Sequence, residues 1–446
     1  MNSYIEEILK KEKEKNPNQK EYIQALEEVL SSISIIFDNH PDYQEKKILE
    51  RLVEPDRIIR FKVSLTRDDG TKEEYDGYRV QHNNVVGVYK GGLRFNTNVN
   101  ESILKFLAFE QMFKNALTTL PMGGAKGGSN FNPKDKSEEE IKRFCFEFMK
   151  NLAPHIGEGL DVPAGDLGVG ARELNYLFDA YKEIKKNEEL GFITGKPIEK
   201  GGSLARKEAT GYGLIYFVEE ILKLHPIKNP RVIVSGSGNV ALYAATKAKE
   251  LGYKVIGMSD SKGYVIDEDL DIGLIKQTKE INRLSLKEYP KGEYHEGSIY
   301  DHEIDVDIVL PCATQNEIDL ERAKRLVRNG VKIVAEGANM PNDNEAIKYY
   351  KDNKIIFVPG KASNAGGVSV SYLEMEQNRL KEKWTFEEVD NKLKNIMKSI
   401  HAQCLDAIKE YNLESFDYVT AANLASATKI INILLKKKWY RIISWV

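Results

Sequence analysis

Three lysines lie among or beside glycines in one stretch of the sequence. They are Lys90 in Tyr-Lys-Gly-Gly-Leu-Arg, Lys114 in Gln-Met-Phe-Lys-Asn, and Lys126 in Met-Gly-Gly-Ala-Lys-Gly-Gly. A buried ammonium group is costly unless an anion meets it, whereas glycine lets a backbone approach a ligand closely. Because motifs of this kind are unusual on a solvated surface, the three lysines predict a pocket for a small polyanion. Asp166 follows downstream and adds an acidic residue to the predicted pocket.

Apolar periodicity indicates the elements that would position these lysines. Residues 1–55 have helical spacing, and two runs, 59–63 and 75–80, alternate apolar with polar residues as strands do. Residues 102–120 predict a helix that projects Lys114, and the second glycine loop follows it directly. The first part of the chain is therefore predicted to combine helices with strands.

The composition changes at residues 191–203, where glycines and a proline interrupt all periodicity. Beyond this point buried-strand patterns alternate with helical ones, which predicts a parallel, doubly wound sheet. The predicted strands are 231–235, 254–258, 306–310, 331–335 and 354–358. We therefore predict an α/β protein with a mixed-sheet substrate domain at residues 1–200 and a Rossmann-like, doubly wound dinucleotide-binding domain at 201–424. A C-terminal helix, about 425–446, is predicted to return to the first domain.

A glycine-rich turn joins the first strand and helix of the second domain. Its G-x-G-x-x-A pattern is weak alone, but a strand precedes it, a helix follows, and the next strand ends beside an acid. A helix N-terminus offers N–H groups and a positive dipole to a pyrophosphate. The predicted contacts in this turn are Gly236, Ser237, Gly238, Asn239 and Val240. A tight turn without a ligand is the alternative.

The residues after the second strand bear on the choice of dinucleotide. Asp260 stands where a carboxylate would accept both ribose hydroxyls of NAD and repel a 2′-phosphate. Ser261 and Lys262 follow at once, and a hydroxyl with an ammonium group can hold a phosphate. We therefore favour NADP(H) and keep NAD(H) as the alternative.

Bulk composition excludes several other classes of protein. A net charge of −3 over 446 residues argues against a nucleic-acid or membrane-surface protein. Cys145, Cys312 and Cys404 are too far apart in sequence to indicate a disulfide framework or a metal site. The sequence lacks a signal-peptide pattern, and no apolar run approaches the roughly 18 residues of a membrane span, so a cytoplasmic protein is expected.

Taken together, the motifs resemble those of the hexameric glutamate dehydrogenases of bacteria and lower eukaryotes. The resemblance covers most of the chain from about residue 55 onward. The matching segments are KGGLRF (90–95), LPMGGAKGG (120–128), DVPAGDLG (161–168), EATGYG (208–213), PCATQN (311–316), ANMP (338–341) and NAGGV (364–368).

This resemblance implies a homohexamer that converts L-glutamate to 2-oxoglutarate and ammonium, and back, with a nicotinamide dinucleotide. It also implies a role for individual residues. Lys126 would activate water for attack on the iminium carbon, and Asp166 would exchange a proton with the amino nitrogen. The substrate contacts would be Lys90 and Ser371 at the side-chain carboxylate, Lys114 at the α-carboxylate, Gly91 and Gly92, and Arg206 near the junction of substrate and nicotinamide. The further cofactor contacts would be Thr210, Asn239, Ala313 and Asn339.

Charge balance gives an independent reason for a catalytic lysine. Three lysines facing a substrate with two carboxylates leave one cation without its own anion. Burial and like-charge repulsion both lower the pKa of a lysine, so one can act as a base near neutral pH. We assign this role to Lys126, which glycines flank on both sides.

Two other interpretations remain open. A branched-chain or aromatic amino-acid dehydrogenase would have a similar lysine pair and nucleotide fold, but no use for a cation at Lys90. A non-catalytic dinucleotide-binding regulator is the alternative from another class, and the presence of Lys126 and Asp166 argues against it.

Overall fold

The computed structural model describes residues 2–436 and divides them into two units. The first unit contains the described residues up to Leu204, the segment Ser371–Thr385, and the described residues from Asn423 onward. The second unit contains Ala205–Val370 and Phe386–Ala422. The final part of the predicted C-terminal helix, residues 437–446, lies outside the described residues.

The first unit begins with helices and continues as a mixed sheet with helices. Its N-terminal helices are α1 (Ser3–Lys15), α2 (Lys20–Ser32), α3 (Ser34–Asn39), α4 (Asp42–Glu45) and α5 (Ile48–Val53). Its strands are β1 (Arg57–Thr66), β2 (Lys72–Asn83), β3 (Tyr89–Phe95), β4 (Gly124–Ser129) and β5 (Asp161–Gly165). The helices between and after them are α6 (Glu101–Leu117), α7 (Glu138–Leu152) and α8 (Ala171–Lys185).

The sheet of the first unit has the strand order β1-β2-β4-β3-β5. Strand β2 pairs antiparallel with β1 and β4, whereas β3 pairs parallel with β4 and β5. A core of aromatic and aliphatic side chains packs against one part of the sheet, with Phe95, Phe131, Phe144 and Phe148 in mutual contact. The mixed sheet predicted from the sequence is confirmed, and its central strand, β4, lies between β2 and β3.

The second unit alternates strands and helices. Its strands are β6 (Arg231–Val234), β7 (Lys254–Ser259), β8 (Gly263–Ile266), β9 (Glu293–Glu296), β10 (Ile308–Leu310), β11 (Ile333–Ala335) and β12 (Ile356–Val358). The helices that begin in it are α9 (Ala209–Leu224), α10 (Asn239–Glu250), α11 (Ile272–Lys276), α12 (Leu320–Arg328), α13 (Asn344–Asp352), α14 (Gly360–Ser363), α15 (Gly366–Leu380), α16 (Phe386–Glu410) and α17 (Tyr418–Lys436).

The sheet of the second unit has the order β12-β11-β10-β6-β7-β8-β9. The five strands from β12 to β7 are parallel, and β8 and β9 extend the sheet antiparallel. The chain passes from β6 to β7 on one side and then to β10 on the other side of β6. The loops after β6 and β10 therefore meet at a topological switch point, where ligands of such sheets bind. The doubly wound fold is confirmed, and the antiparallel pair is an addition that the sequence analysis missed.

Helix α15 belongs to both units, and this differs from the sequence-based boundary. The prediction assigned all of 201–424 to the dinucleotide domain, whereas Ser371–Thr385 lies in the first unit. The physical reason is a set of bonds to the segment before Leu204. Gln377 Nε2 donates to Ser203 Oγ at 2.8 Å, and Asn378 Nδ2 donates to the Gly201 carbonyl at 2.8 Å.

By length and composition alone, helix α17 is long and apolar enough to cross a membrane, although no such helix was predicted from the sequence. However, 56% of its most apolar window is buried inside the protein. Within the first unit, Asn423 Nδ2 donates to Ser32 Oγ at 2.8 Å and Lys429 Nζ donates to the Ala116 carbonyl at 3.0 Å. These contacts are those of a core helix.

Candidate active site

Strand register brings Lys126 and Asp166 to either side of β3. Leu93 of β3 pairs with Gly127 of β4 on one side and with Gly165 of β5 on the other. Lys126 immediately precedes Gly127, and Asp166 immediately follows Gly165. The sheet thus brings together two residues that are distant in sequence.

The two side chains form an ion pair together with Arg94. Lys126 Nζ lies 3.1 Å from Asp166 Oδ2, and Arg94 Nε donates to the same oxygen at 2.7 Å. The side chains of Lys126, Asp166 and Arg94 are 8%, 17% and 21% exposed. The cluster is therefore largely sheltered from bulk water, and a small part of each side chain remains accessible.

Burial and the neighbouring charges set the protonation of this cluster. Burial lowers the pKa of the Lys126 ammonium, opposed by the attraction of Asp166, and Arg94 lowers it further. Burial alone would raise the pKa of Asp166, but the charges of Lys126 and Arg94 outweigh this effect and lower it. Lys126 is thus made more acidic while Asp166 is kept ionised. The direction of the Lys126 shift agrees with the role predicted for it.

A second buried ion pair supports the strand that carries Lys90. Arg79 and Asp161 have fully buried side chains, and Arg79 Nε donates to Asp161 Oδ2 at 2.9 Å. Arg79 also donates to the Gly91 carbonyl at 3.1 Å, and Gln81 Nε2 donates to Asp161 at 2.9 Å. These bonds tie β2 to β3 and β5. They also fix the backbone next to Lys90.

Lys90 lies on β3, and its side chain is directed to Thr194. Lys90 is 1% exposed, and its Nζ donates to Thr194 Oγ1 at 2.9 Å. Ser371, the predicted partner of Lys90, is also buried and lies in the part of α15 that belongs to the first unit. Lys90 and Ser371, the two residues predicted to bind the side-chain carboxylate of the substrate, thus lie in the same unit. Thr194 is a further polar residue in contact with Lys90.

Lys114 is half-buried in the last turns of α6. The next residue, Asn115, is fully buried and donates through Nδ2 to the carbonyls of Gly123 at 2.6 Å and Lys90 at 3.2 Å. Asn115 therefore fixes the C-terminal end of α6 to β3 and to the loop before β4. This arrangement holds Lys114 near the elements that carry Lys90 and Lys126.

Gly91 and Gly92 are required by packing within the protein itself. A Cβ at Gly91 would lie 1.6 Å from the Ala125 carbonyl oxygen, and one at Gly92 would lie 2.8 Å from the Asp166 Cβ. The sequence analysis attributed these glycines to the approach of a ligand. The structure attributes them to the close approach of β3 to β4 and β5, and their contact with a substrate stays a prediction.

The turn after β6 has the properties of a pyrophosphate site. Gly236 has a φ of +85°, and a Cβ there would lie 3.1 Å from the Ala313 Cβ, whereas a Cβ at Gly238 would meet nothing within 4 Å. Helix α10 starts at Asn239 without a side-chain cap, and Gly238 and Asn239 are exposed. The first N–H groups of the helix thus lie at an open turn, where an anion is stabilised. The residues present fit a dinucleotide.

The Asp260 carboxylate is engaged by hydrogen bonds and an ion pair within the protein. Its Oδ1 accepts from the backbone N–H groups of Lys262 and Gly263, and its Oδ2 accepts from Leu286 N at 2.8 Å and Lys279 Nζ at 3.1 Å. Its side chain is 6% exposed, and burial is outweighed by these bonds, which lower its pKa to about 2. A carboxylate with both oxygens engaged is poorly placed to accept two ribose hydroxyls. The sequence-based argument for NAD at Asp260 is therefore weakened, whereas Ser261 and Lys262 are exposed.

The remaining predicted residues lie in the second unit. Arg206 and Thr210 are both next to Gly367 at the start of α15, since a Cβ on Gly367 would lie 2.7 Å from Thr210 Oγ1 and 3.5 Å from Arg206 Nη1. Ala313 follows β10, and its N–H donates to Ser235 Oγ at 3.2 Å. Asn339 follows β11, and its Oδ1 accepts from Asn364 at 3.0 Å. Ala313 therefore lies beside the pyrophosphate turn, at the switch point of the sheet.

Sequence reasoning missed Arg94, Arg79 and Thr194 as members of the site. For Arg94 a signal was available, because Lys90 and Arg94 are four residues apart on a strand and thus share a face. Arg79 and Thr194 had no local signal, since their partners are set by strand order and by a loop.

Comparison with known proteins agrees with this architecture. A family model described as Glutamate/Leucine/Phenylalanine/Valine dehydrogenase matches residues 201–437, and one described as the Glu/Leu/Phe/Val dehydrogenase dimerisation domain matches residues 55–183. The two models cover more than half of the chain. The protein belongs to the Glu/Leu/Phe/Val dehydrogenase family, a class of amino-acid dehydrogenases.

Within this family, similar proteins are named as glutamate dehydrogenases. The NAD(P)-specific glutamate dehydrogenase of Xylanibacter ruminicola is 49% identical over 97% of this chain and 99% of its own length. The NADP-specific glutamate dehydrogenase of Helicobacter pylori is 46% identical over 97% of this chain and 99% of its own length. The crystal structure of Plasmodium falciparum glutamate dehydrogenase matches with a TM-score of 0.94 at 44% identity, over 98% of this chain and 95% of that one.

Proposed function

We propose that this protein catalyses the reversible oxidative deamination of L-glutamate to 2-oxoglutarate and ammonium with NADP(H), NAD(H) being the alternative cofactor. The observation that carries the proposal is the buried cluster in which Lys126 and Arg94 share one oxygen of Asp166. This cluster lies on the same sheet as Lys90, in a chain whose relatives are named as glutamate dehydrogenases.

Lys90 and Ser371 bind the side-chain carboxylate of glutamate, and Lys114 binds the α-carboxylate. Burial of Lys90 makes this recognition selective, because an apolar side chain in its place would leave the ammonium group without an anion. Lys126 is the residue whose burial favours the neutral amine, so it takes a proton from water as that water attacks the iminium carbon. Asp166 stays ionised and exchanges a proton with the amino nitrogen.

The dinucleotide would be held by the turn after β6 and by the loops after β10 and β11. The pyrophosphate would be bound by Gly236, Ser237, Gly238, Asn239 and Val240, with Ala313 and Asn339 as contacts from the neighbouring loops. When bound, it exchanges a hydride with the substrate's Cα. Arg206 and Thr210 orient the groups at this junction.

Ser261 and Lys262 support the choice of NADP(H). Both are exposed at the end of β7, whereas the Asp260 carboxylate that would repel a 2′-phosphate is bonded to Lys279 and to two segments of backbone. Its negative charge is therefore partly balanced, and the hydroxyl and ammonium groups beside it are placed to receive a phosphate.

A spectrophotometric assay of 2-oxoglutarate plus ammonium, run in parallel with NADPH and NADH, tests the proposal. We expect turnover with NADPH and a lower rate with NADH. Assays with glutamate, leucine and phenylalanine separate this reaction from those of branched-chain and aromatic amino-acid dehydrogenases. A protein that binds the dinucleotide and turns over none of these amino acids would instead be a regulator.

The proposed assembly is a homohexamer. The family model that matches residues 55–183 is described as a dimerisation domain, which supports self-association through the first unit. Sedimentation should therefore give a mass about six times that of the 50.7 kDa chain. A monomer would contradict this assignment.

A further inference from the structure

A third buried ion pair in the first unit lies beside Thr194, which accepts from Lys90, and has no role in the reaction as proposed. Lys196 Nζ lies 2.7 Å from Glu374 Oε1, and both side chains are completely buried. Both oxygens of Glu374 also accept from the Gly195 N–H, at 3.1 and 3.0 Å. Lys196 Nζ in turn donates to the Ile193 carbonyl at 3.0 Å. The Glu374 carboxylate thus fixes Gly195 and Lys196 directly, and Lys196 in turn fixes Ile193.

These bonds hold the residue that receives Lys90. Thr194 lies between Ile193 and Gly195, and its Oγ1 accepts from Lys90 Nζ at 2.9 Å. Its N–H donates to the Pro163 carbonyl of β5 at 3.0 Å, which aligns this segment with the sheet. The backbone of Thr194 is therefore fixed on one side by β5 and on the other by Glu374.

Helix α15 connects the Glu374–Lys196 pair to Ser371, which is predicted to bind the same substrate carboxylate as Lys90. Ser371 precedes Glu374 by three residues, so the two side chains lie on neighbouring turns of one helix face. Any shift of Gly195 relative to α15 would change the spacing between Ser371 and the Thr194–Lys90 contact. A loop held only by its backbone would leave this spacing loosely defined.

We propose that the Glu374–Lys196 ion pair is a positioning device that fixes Thr194, and through it Lys90, relative to Ser371. It would thereby set affinity for the side-chain carboxylate of the substrate without touching the substrate. The inference rests on the proposed function, because it presumes that Lys90 and Ser371 bind that carboxylate.

The double variant Glu374→Leu, Lys196→Met tests the device with limited damage to the fold. A buried ion pair replaced by apolar side chains of similar volume often keeps its stability, whereas removal of one partner leaves an unpaired buried charge. The double variant therefore removes the bonds to Gly195 and Ile193 while keeping the interior filled. Glu374→Gln is the conservative comparison, because its amide oxygen still accepts from Gly195.

Glutarate, a dicarboxylate that cannot react, is the binding probe, and calorimetry is the readout. For the double variant we expect glutarate affinity to fall, and the KM for glutamate to rise, about tenfold, with kcat nearly unchanged. L-norvaline lacks the distal carboxylate, so its kcat/KM should not change. Affinity for the dinucleotide should also be unchanged, and Glu374→Gln should give an intermediate effect.

Lys351→Met is the control for loss of an ion pair in the other unit. Lys351 Nζ, on an exposed side chain, lies 2.6 Å from Asp417 Oδ2, whose side chain is 7% exposed, and both residues lie in the second unit. This variant should lower the thermal midpoint and leave glutarate affinity unchanged. If Glu374→Gln and the double variant also lower the thermal midpoint but leave glutarate affinity unchanged, the pair is purely structural and the inference is overturned. If the double variant does not fold, Glu374→Gln decides alone, and unchanged glutarate affinity again overturns it. A wild-type protein that neither binds glutarate nor oxidises glutamate contradicts the proposed function instead.

Discussion

Lys126 Nζ lies 3.1 Å from Asp166 Oδ2, and β3 runs between β4, which contains Lys126, and β5, which Asp166 immediately follows. An ammonium group and a carboxylate so close, with side chains only 8% and 17% exposed, stabilise each other's charged forms. Any step that moves a proton onto or off one of them therefore changes the pKa of its partner. This coupling is the basis of the first three predictions.

Lys126→Ala should abolish most turnover while substrate still binds. A positioned general base contributes roughly 10²–10⁴-fold to a rate, so kcat should fall by that order. Glutarate affinity should be retained, since Lys90, Ser371 and Lys114 are intact. Steady-state kinetics and calorimetry measure the two quantities. Lys134→Ala, at an exposed lysine of the same unit, is the control, and a near-normal kcat in Lys126→Ala would refute the assignment.

Asp166→Ser should also lose turnover, for a different reason. The substitution removes the group that exchanges a proton with the amino nitrogen, and it leaves Arg94 and Lys126 without their shared acceptor. Dinucleotide affinity should not change, because the turn after β6 lies in the other unit. Fluorescence titration with NADPH provides that measurement. Loss of NADPH binding would count against a role for Asp166 in proton transfer.

Arg94→Gln should move the pH dependence of the reaction to higher pH. The guanidinium of Arg94 lowers the pKa of both Lys126 and Asp166, so its removal lets both values rise. Lys126 must then lose its proton at a higher pH, and the acidic limb of the kcat/KM profile shifts in the alkaline direction. Arg143→Gln, at an arginine paired with the exposed Asp68, should leave the profile unchanged. A lower kcat with an unshifted profile would mean that Arg94 only shapes the site.

The parts of this site that were predictable are those with a local pattern. The glycine-lysine segments and the turn after β6 carry their chemistry in consecutive residues, so Lys126 and the β6 turn could be identified directly. Asp166 could be named, but not its contact with Arg94, because pairing of β3 with β5 depends on strand order. Glu374 was assigned to the wrong domain since the period of a helix does not indicate what packs on it. Asp260 was named as a cofactor contact from its sequence position, and this contact stays a prediction, because internal hydrogen bonds that the sequence does not reveal engage both of its oxygens.

His82 should make the stability of the protein depend on pH. Its ring is fully buried, Nε2 lies 2.8 Å from the Leu52 carbonyl, and burial lowers its pKa to about 4. The unfolded chain has a histidine pKa near 6.5, so it binds a proton that the native state excludes between these values. The contribution is therefore complete above about pH 6.5 and is lost as the pH falls toward 4, by roughly 3 kcal/mol in all.

His82→Gln removes this titration. Its thermal midpoint should be lower than wild type at pH 7.5, but it should decrease less between pH 7.5 and 5.5. Differential scanning calorimetry at the two values gives the comparison, with His225→Gln at an exposed histidine as the control. Equal decreases in His82→Gln and wild type would show that His82 does not contribute to the acid sensitivity.

Lys262→Ala should reduce the preference for NADPH. Lys262 is exposed next to Ser261 at the end of β7, and its ammonium group is the charge proposed to face the 2′-phosphate. Charge-assisted hydrogen bonds to phosphate are among the stronger polar contacts, so the KM for NADPH should rise about tenfold. The KM for NADH should change by less than about twofold, because NADH has no phosphate at that position. Lys254→Ala, at an exposed lysine that begins the same strand, is the matched control and should affect neither cofactor. Parallel KM measurements with both cofactors test this prediction. An equal rise in the KM for NADH and for NADPH would mean that Lys262 contacts the part that the two dinucleotides share. The phosphate contact would then have to be assigned to another residue.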